Sequence, residues 1–213
     1  MQVVDSVVST VGTAVAAYGA GSIPFSNIAA RRRAGVDLRE VGTGTVSGTS
    51  LYRVAGFGAL AIAGVADVAK GAFGPLLAGD HATLAAVCAG LAVAGHDWSP
   101  FLRGAGGRGV APALGGLLVL AWPGAVVLII GLVVGRFAHQ TGLGAFAALV
   151  LLVPVAALTY GRTGALAGIC VATPMFAKRV LGNQPPAHRD LSTYVHRLLF
   201  DNDALPTITD DRR

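Results

Sequence analysis

Three polar segments interrupt an otherwise apolar chain, and the first two join glycines to groups that hold anions. The first is Val41-Gly42-Thr43-Gly44-Thr45-Val46-Ser47-Gly48-Thr49-Ser50, followed by Arg53. Glycines let the backbone come close to an anion, and hydroxyls and amide N–H groups then donate to its oxygens. A helix that starts after the segment adds a favourable partial charge. Taken alone, such a loop is more often a flexible connector. The second segment runs from Gly95-His96-Asp97 through Arg103 to Gly104-Ala105-Gly106-Gly107-Arg108-Gly109, closing one helix and opening the next. His96 titrates near operating pH and suits a general base or a phosphate donor, although capping a helix end is an equal alternative. The third lies in the tail, Tyr194 to Asp203. Its His196 and Asp201 fit a His-x-x-x-x-Asp spacing used by one acyltransferase family, but two residues coincide too easily to carry weight.

The elements that must position these segments are set by hydrophobicity. The chain is 54% hydrophobic and only 13% charged, too little charge to cover a soluble protein of this size. Its apolar residues fall in long runs without alternation, which predicts helices that are apolar all round and excludes disorder and a transmembrane barrel. The expected fold class is all-α, a polytopic integral membrane protein. Net charge is +5, yet no basic run is interleaved with stacking aromatics, so nucleic acid is not the partner. Cys88 and Cys170 both lie in apolar runs and make no metal-ligand spacing. The first apolar stretch lacks a preceding basic region and ends at a triple arginine, the pattern of an anchor helix rather than a cleaved signal.

Apolar stretches run roughly from Val7 to Ala30, Leu51 to Gly71, Leu76 to His96, Val110 to Ala138, Leu143 to Tyr160 and Gly164 to Ala177. The fourth exceeds the roughly 20 residues of a single span and carries Trp122-Pro123-Gly124 at its middle, a turn signal. Two crossings there place Arg31, Arg32, Arg33, Arg39, Arg103, Arg108, Arg136, Lys178, Arg179, Arg189 and Arg197 on one side. The positive-inside rule therefore predicts about seven short transmembrane helices, the N-terminus outside and the C-terminus cytoplasmic. Each half of the fourth stretch is then only about 21 Å long at roughly 1.5 Å per residue, short of a bilayer core. Residues 1–183 form the membrane domain, and residues 184–213 form a polar cytoplasmic tail with one amphipathic stretch, Leu191 to Phe200. Asp67 and Lys70 share a helix face, and a local ion pair near the outer interface is their expected role.

Read together, these segments resemble the bacterial family of acyl-phosphate-dependent glycerol-3-phosphate acyltransferases. Gly21-Ser22-Ile23-Pro24-Phe25, Gly42-Thr43-Gly44-Thr45 with Thr49, Ser50 and Arg53, Asp67-Val68-Ala69-Lys70-Gly71, Gly95-His96 and Gly106-Gly107-Arg108-Gly109-Val110-Ala111 follow its motifs in order. Arg197-Leu198-Leu199 and Asp203 stand where the family has Arg-Leu-Leu and a glutamate. The replacements are hydroxyls at Thr45 and Ser50 for amides, Thr43 for serine, Arg108 and Ala105 for lysines, Tyr194 for asparagine, and His139-Gln140-Thr141 around a serine.

The resemblance implies seven helices with cytoplasmic loops, and transfer of a fatty acyl group from acyl phosphate to the 1-hydroxyl of glycerol 3-phosphate. Lysophosphatidate and inorganic phosphate would be the products. Acyl phosphate is already activated, so neither a cofactor nor a metal nor an enzyme nucleophile is required. It implies His96, Thr43 and Thr45 as catalytic groups. Substrate would be held by Ser22, Gly42, Gly44, Thr49, Ser50, Arg53, Gly106, Gly107, Arg108, Gly109, Arg197 and Asp203. The partners would be the bilayer, the two substrates and an enzyme supplying acyl phosphate. Two alternatives are an inactive homologue that binds lipid or phosphate, and a small anion transporter, which the absence of inverted repeats disfavours.

Overall fold

The computed structural model describes residues 2–186 and 188–202, with side chains from residue 7 onward. Among these the chain is all helical: α1 (Gln2–Ser22), α2 (Phe25–Ala34), α3 (Gly48–Ala78), α4 (Ala82–Asp97), α5 (Val110–Leu120), α6 (Trp122–Phe137), α7 (Thr141–Leu181) and α8 (Leu191–Phe200). Short 3₁₀ turns at Leu38–Glu40 and Pro100–Leu102 sit in the two glycine-bearing loops.

Breaks in these helices follow local chemistry. The apolar stretch expected to run unbroken from Val7 to Ala30 parts at Ile23-Pro24, where the proline lacks an N–H to continue the ladder. The expected break near Trp122-Pro123 is present, with Ala121 at φ −161°, ψ 71° between α5 and α6. Inside α3, Gly56 adopts φ 75°, ψ −177°, a region open essentially to glycine alone. The chain folds back there, for a Cβ on Gly48 would lie 2.8 Å from Leu60 Cδ1, a contact that a straight helix would hold about 18 Å apart. Gly161, at φ 57°, ψ −137°, does the same to α7. A Cβ on Gly164 would lie 2.0 Å from Ala156 O, and Arg179 Nη2 reaches Gly142 O at 2.7 Å. α7 is therefore an antiparallel hairpin of two helices.

The interior is made of small side chains. Ala89, Ala113, Ala125 and Ala148 join Leu117, Leu128, Leu149 and Leu152 in one buried cluster. Glycines bring backbones into direct contact: a Cβ on Gly71 would lie 2.0 Å from Pro112 O, and one on Gly115 1.9 Å from Val68 O. Without a hydrophobic drive between helices in lipid, such close packing supplies much of the association energy. Large apolar side chains point outward instead, with Phe137 82% and Leu158 87% exposed. That is the reverse of a water-soluble surface. By length and apolarity, α3 and α7 qualify as membrane-crossing, with mean hydropathy 1.4 and 2.2 over their most apolar 18 residues; α5 and α6 are shorter apolar helices.

Gly115→Ala should push α5 off α3 and cost about 1–3 kcal/mol, as overpacking of a close-packed interior does. A lowered Tm in detergent, read by intrinsic fluorescence, is the expected result; an unchanged Tm would contradict the backbone contact.

Candidate functional site

The two glycine loops meet at the C-terminal end of α4. Val46 N donates to Gly106 O at 3.0 Å and Gly107 N to His96 O at 3.1 Å. Neither Gly106 nor Gly107 has room for a side chain, since a Cβ would lie 2.2 Å from His96 O in one and 2.1 Å from His96 Nε2 in the other. The loop is thus pressed onto His96. Asn183, just past α7, ties the loops together: its Oδ1 accepts from Gly106 N at 3.1 Å, and its Nδ2 donates to Gly106 O at 2.8 Å and Gly44 O at 3.1 Å. The first loop is braced at its start by Asp37, whose carboxylate accepts from Arg39 N at 3.0 Å and pairs with Arg31 and with Arg39 Nη2 at 2.6 Å. The side-chain hydrogen bond from Arg39 holds the Asp37 carboxyl well below the usual carboxylate range, against the opposing effect of burial.

Two joined cavities open at this end of the bundle. One, about 340 Å³, is the more polar of the two and is lined by Thr43, Thr45, Thr49, Ser50, Arg53, Arg108, Arg179 and Asp201, with Leu149, Met175 and Phe200 among its apolar walls. The second, about 590 Å³, is largely apolar and runs between α3, α5 and α6 past Tyr52, Phe57, Leu60, Leu114 and Leu132, with His96, Asp67 and Arg136 also in its wall. Ser47, Thr49, Arg108, Val110 and Leu132 belong to both. A larger groove, about 940 Å³, lies at the opposite end beside Ser9 and His81, away from these groups.

Buried charges underlie the site. Asp67 and Lys70 pair at 2.7 Å with side chains 4% and 3% exposed. Lys70 Nζ also donates to Ile23 O at 2.8 Å, a carbonyl freed by the break before Pro24, and Ser26 Oγ donates to Asp67 Oδ2 at 3.1 Å. His96 Nδ1 stands 3.8 Å from Asp67 Oδ1, too far for a hydrogen bond but close enough for charge to be felt. The pair expected at the outer interface therefore belongs to the layer of His96, because α3 runs on to Ala78 and puts residues 67–70 near its middle. Deeper still, Asp97 and Lys178 are both 0% exposed, with Lys178 Nζ 5.2 Å from the Trp98 ring centroid.

Several of the residues named from sequence converge. Thr43, Thr45, Thr49, Ser50, Arg53 and Arg108 share the polar cavity, Thr141 joins them, and His96 faces the adjoining one. Thr43 Oγ1 donates to Thr45 Oγ1 at 3.0 Å, while Ser50 Oγ is spent on Thr45 O at 3.1 Å. Gly42 makes an exposed turn at φ 57°, Gly44 gives its carbonyl to Asn183, and Gly109 opens α5 at φ 70°. Others lie elsewhere. Ser22 is 1% exposed, bonds Tyr18 O at 2.8 Å and packs under Gly95. Arg197 directs its guanidinium to the carbonyls of Leu181, Gln184 and Pro185, holding α8 to the end of α7. Asp203 falls outside the described residues. His196 Nδ1 sits 3.2 Å from Asn202 O while Asp201 pairs with Arg108, so the His-x-x-x-x-Asp spacing builds no dyad.

Sequence reading missed Arg179, Asn183 and the buried charges of Asp97 and Lys178. In the sequence Arg179 bears only on orientation, although a long basic side chain at the end of an apolar helix is also a signal of a buried carbonyl ligand.

An apolar-surfaced helical bundle whose polar, arginine-lined cleft continues into an apolar one defines a membrane-embedded protein that handles anionic lipid chemistry. The chain belongs to the glycerol-3-phosphate acyltransferase family, whose model matches residues 11–181. It is 35% identical over 151 residues to the glycerol-3-phosphate acyltransferase of Gluconobacter oxydans, covering 68% of this chain and 72% of that one. With its counterpart in Jannaschia sp. it shares 36% identity over 177 residues, 80% of this chain and 85% of the other. The fold matches two crystal structures of the integral membrane glycerol 3-phosphate acyltransferase PlsY (YgiH). The glycerol 3-phosphate form gives TM-score 0.71 at 24% identity over 80% of this chain and 88% of that one, and the lysophosphatidic acid form 0.72 at 21% over 92% and 94%. The family model's match ends at Leu181, before Arg197-Leu198-Leu199 and Asp203, and Arg179 within it lines the cavity together with Arg53 and Arg108.

Asn183→Ala should leave Gly106 and Gly44 without their amide partner and lower stability by about 1–3 kcal/mol. Activity should fall by about tenfold or more through misplaced loops. Parallel thermal and kinetic assays check this; full activity with full stability would contradict the stapling role.

Proposed function

We propose that the chain transfers a fatty acyl group from acyl phosphate to the 1-hydroxyl of glycerol 3-phosphate, at a membrane face turned to the cytoplasm of a bacterial cell. The observation that carries this reading is the junction of the two cavities at Thr49 and Arg108. An acyl chain fits the apolar cavity between α3, α5 and α6, and phosphate groups fit the polar one, where Arg53, Arg108 and Arg179 face threonine hydroxyls. The acyl carbonyl then lies where the two meet.

The glycerol hydroxyl attacks the acyl carbon, the bond from that carbon to the phosphate oxygen breaks, and inorganic phosphate leaves. His96, in the wall beside the junction with Asp67 behind it, receives or orients the hydroxyl proton, which ends on the departing phosphate. Thr45, whose hydroxyl accepts from Thr43 Oγ1 and is thereby turned outward, donates to a phosphate oxygen. Most of the catalytic effect comes from placing two anions together and stabilising the charge that develops, for which fixed arginines and loop amides suffice.

Topology follows from the same reading. α1 with α2, the second part of α3, α4, α5, α6 and the two arms of α7 make seven crossings. The N-terminus lies outside, and the loops 35–47 and 98–109 lie inside. The arginines beside those loops support this orientation.

Purified protein given glycerol 3-phosphate and a long-chain acyl phosphate should release inorganic phosphate and lysophosphatidate in equal amounts. Arg108→Ala should lower kcat/KM by about a hundredfold or more. Release no greater than that of the variant, with substrate still bound, would defeat the reading. In a variant lacking Cys88 and Cys170, a membrane-impermeant maleimide on intact cells should label Asp80→Cys and spare Arg103→Cys; the reverse pattern would invert the topology.

A further inference from the structure

The polar cavity is not completed by the residues that match the family. One of its walls comes from α8, which lies beyond Leu181, and from Asp201 at that helix's end. Asp201 adopts a left-handed conformation, φ 60° and ψ 28°, ending α8 and turning the chain at the cavity. Its Oδ1 forms an ion pair with Arg108 Nε at 2.6 Å. Contact through Nε occupies the side edge of the guanidinium. The contact is an ion pair rather than an aligned hydrogen bond, since neither Arg108 Nε nor Asp201 Oδ1 makes one, and Arg108 Nη1 is likewise buried without a hydrogen-bond partner among the described residues.

α8 is fixed rather than mobile. Arg179 donates to Leu198 O at 2.8 Å, to Leu199 O at 3.0 Å and to Gly142 O, while Arg197 binds three carbonyls of the α7–α8 connection. Asp190 caps the start of the helix by accepting from Thr193 N at 2.7 Å. A carboxylate carried on so anchored an element is not readily displaced by an arriving phosphate. Arg108 also stands in the field of other charges, with Lys178 and Arg179 repelling it and Asp97 attracting it.

We propose that Asp201 is a positioning residue, which holds Arg108 by its side edge so that the terminal amines meet the substrate phosphate. α8 is then an integral wall of the site. This inference rests on the acyltransferase reading given above. It assigns to Asp201 no contact with substrate.

The test is a double-mutant cycle on kcat/KM for glycerol 3-phosphate. Asp201→Asn keeps the shape of the side chain but removes its charge, and should lower kcat/KM by about ten- to hundredfold, the range for losing one charged partner. Asp201→Glu should recover most of that loss. In an Arg108→Lys background, which has no Nε edge to hold, Asp201→Asn should change kcat/KM less than about threefold. A merely structural role for α8 would give the same loss in both backgrounds, and that additivity would overturn the proposal. So would a lower KM in Asp201→Asn, which would mean that the carboxylate competes with phosphate, or an Asp201→Asn enzyme within about twofold of the parent. Should the parent protein itself show no transfer, the acyltransferase reading fails. Calorimetric binding of glycerol 3-phosphate, weakened in Asp201→Asn but not further in the Arg108→Lys pair, would still decide the positioning role.

Discussion

In an apolar surrounding, a backbone carbonyl or amide left without a partner costs several kcal/mol, so every interruption of a helix must be answered by a side chain. This constraint organises the molecule. The break before Pro24 frees the Ile23 carbonyl, and Lys70 reaches it from α3. The loop after α2 presents the Leu38 amide, and Asn27 Oδ1 accepts from it at 2.8 Å. Both glycine loops are met by Asn183, and the end of α8 by Arg179. All these interruptions fall at one end of the bundle. The opposite end has only tight reversals, between α3 and α4, between α5 and α6 at Ala121, and within α7 at Gly161. The site is therefore the place where helical continuity has been given up and polar side chains have been brought in to compensate.

That concentration explains why the charges of the site can be buried at all. A carboxylate or ammonium alone in this interior would be strongly destabilising, and removing one member of a buried pair commonly costs about 3–5 kcal/mol. Asp67 has Lys70, Asp97 has Lys178 within electrostatic reach, and Asp201 has Arg108. Among the described residues Asp201 is the one carboxylate lining the polar cavity, against Arg53, Arg108 and Arg179, which leaves that cavity with excess positive charge. An anionic substrate supplies the balance. Glycines complete the design from the other direction, since Gly106 and Gly107 let a polar loop touch His96 without an intervening side chain.

The sequence made the helical class, the break at Trp122-Pro123 and the pairing of Thr43, Thr45, Arg53 and Arg108 legible, because hydrophobic runs, proline-glycine turns and glycine-arginine loops each act locally. The separation of Leu143–Tyr160 from Gly164–Ala177 likewise anticipated the reversal at Gly161, but nothing in the sequence revealed that Gly56 reverses the chain, since a lone glycine in an apolar run is ordinarily tolerated within a helix. Nor did it place Asp67 and Lys70, whose depth depends on how far α3 runs before its end at Ala78. The resemblance pointed to Arg197 rather than Arg179 as a substrate ligand; the fold turns Arg179 to the cavity and Arg197 to the connection before α8. Asn183 carried no motif, because its partners lie 77 and 139 residues away.

The most direct test of the two-cavity account is a structure of the protein with a non-hydrolysable long-chain acyl phosphonate. The phosphonate should lie within hydrogen-bond distance of Arg108 and at least one of Arg53 and Arg179, with the chain running past Phe57 and Leu114 between α3, α5 and α6. A head group seated at the other end of the bundle beside His81, or a chain lying outside the α3–α5–α6 cavity, would contradict it.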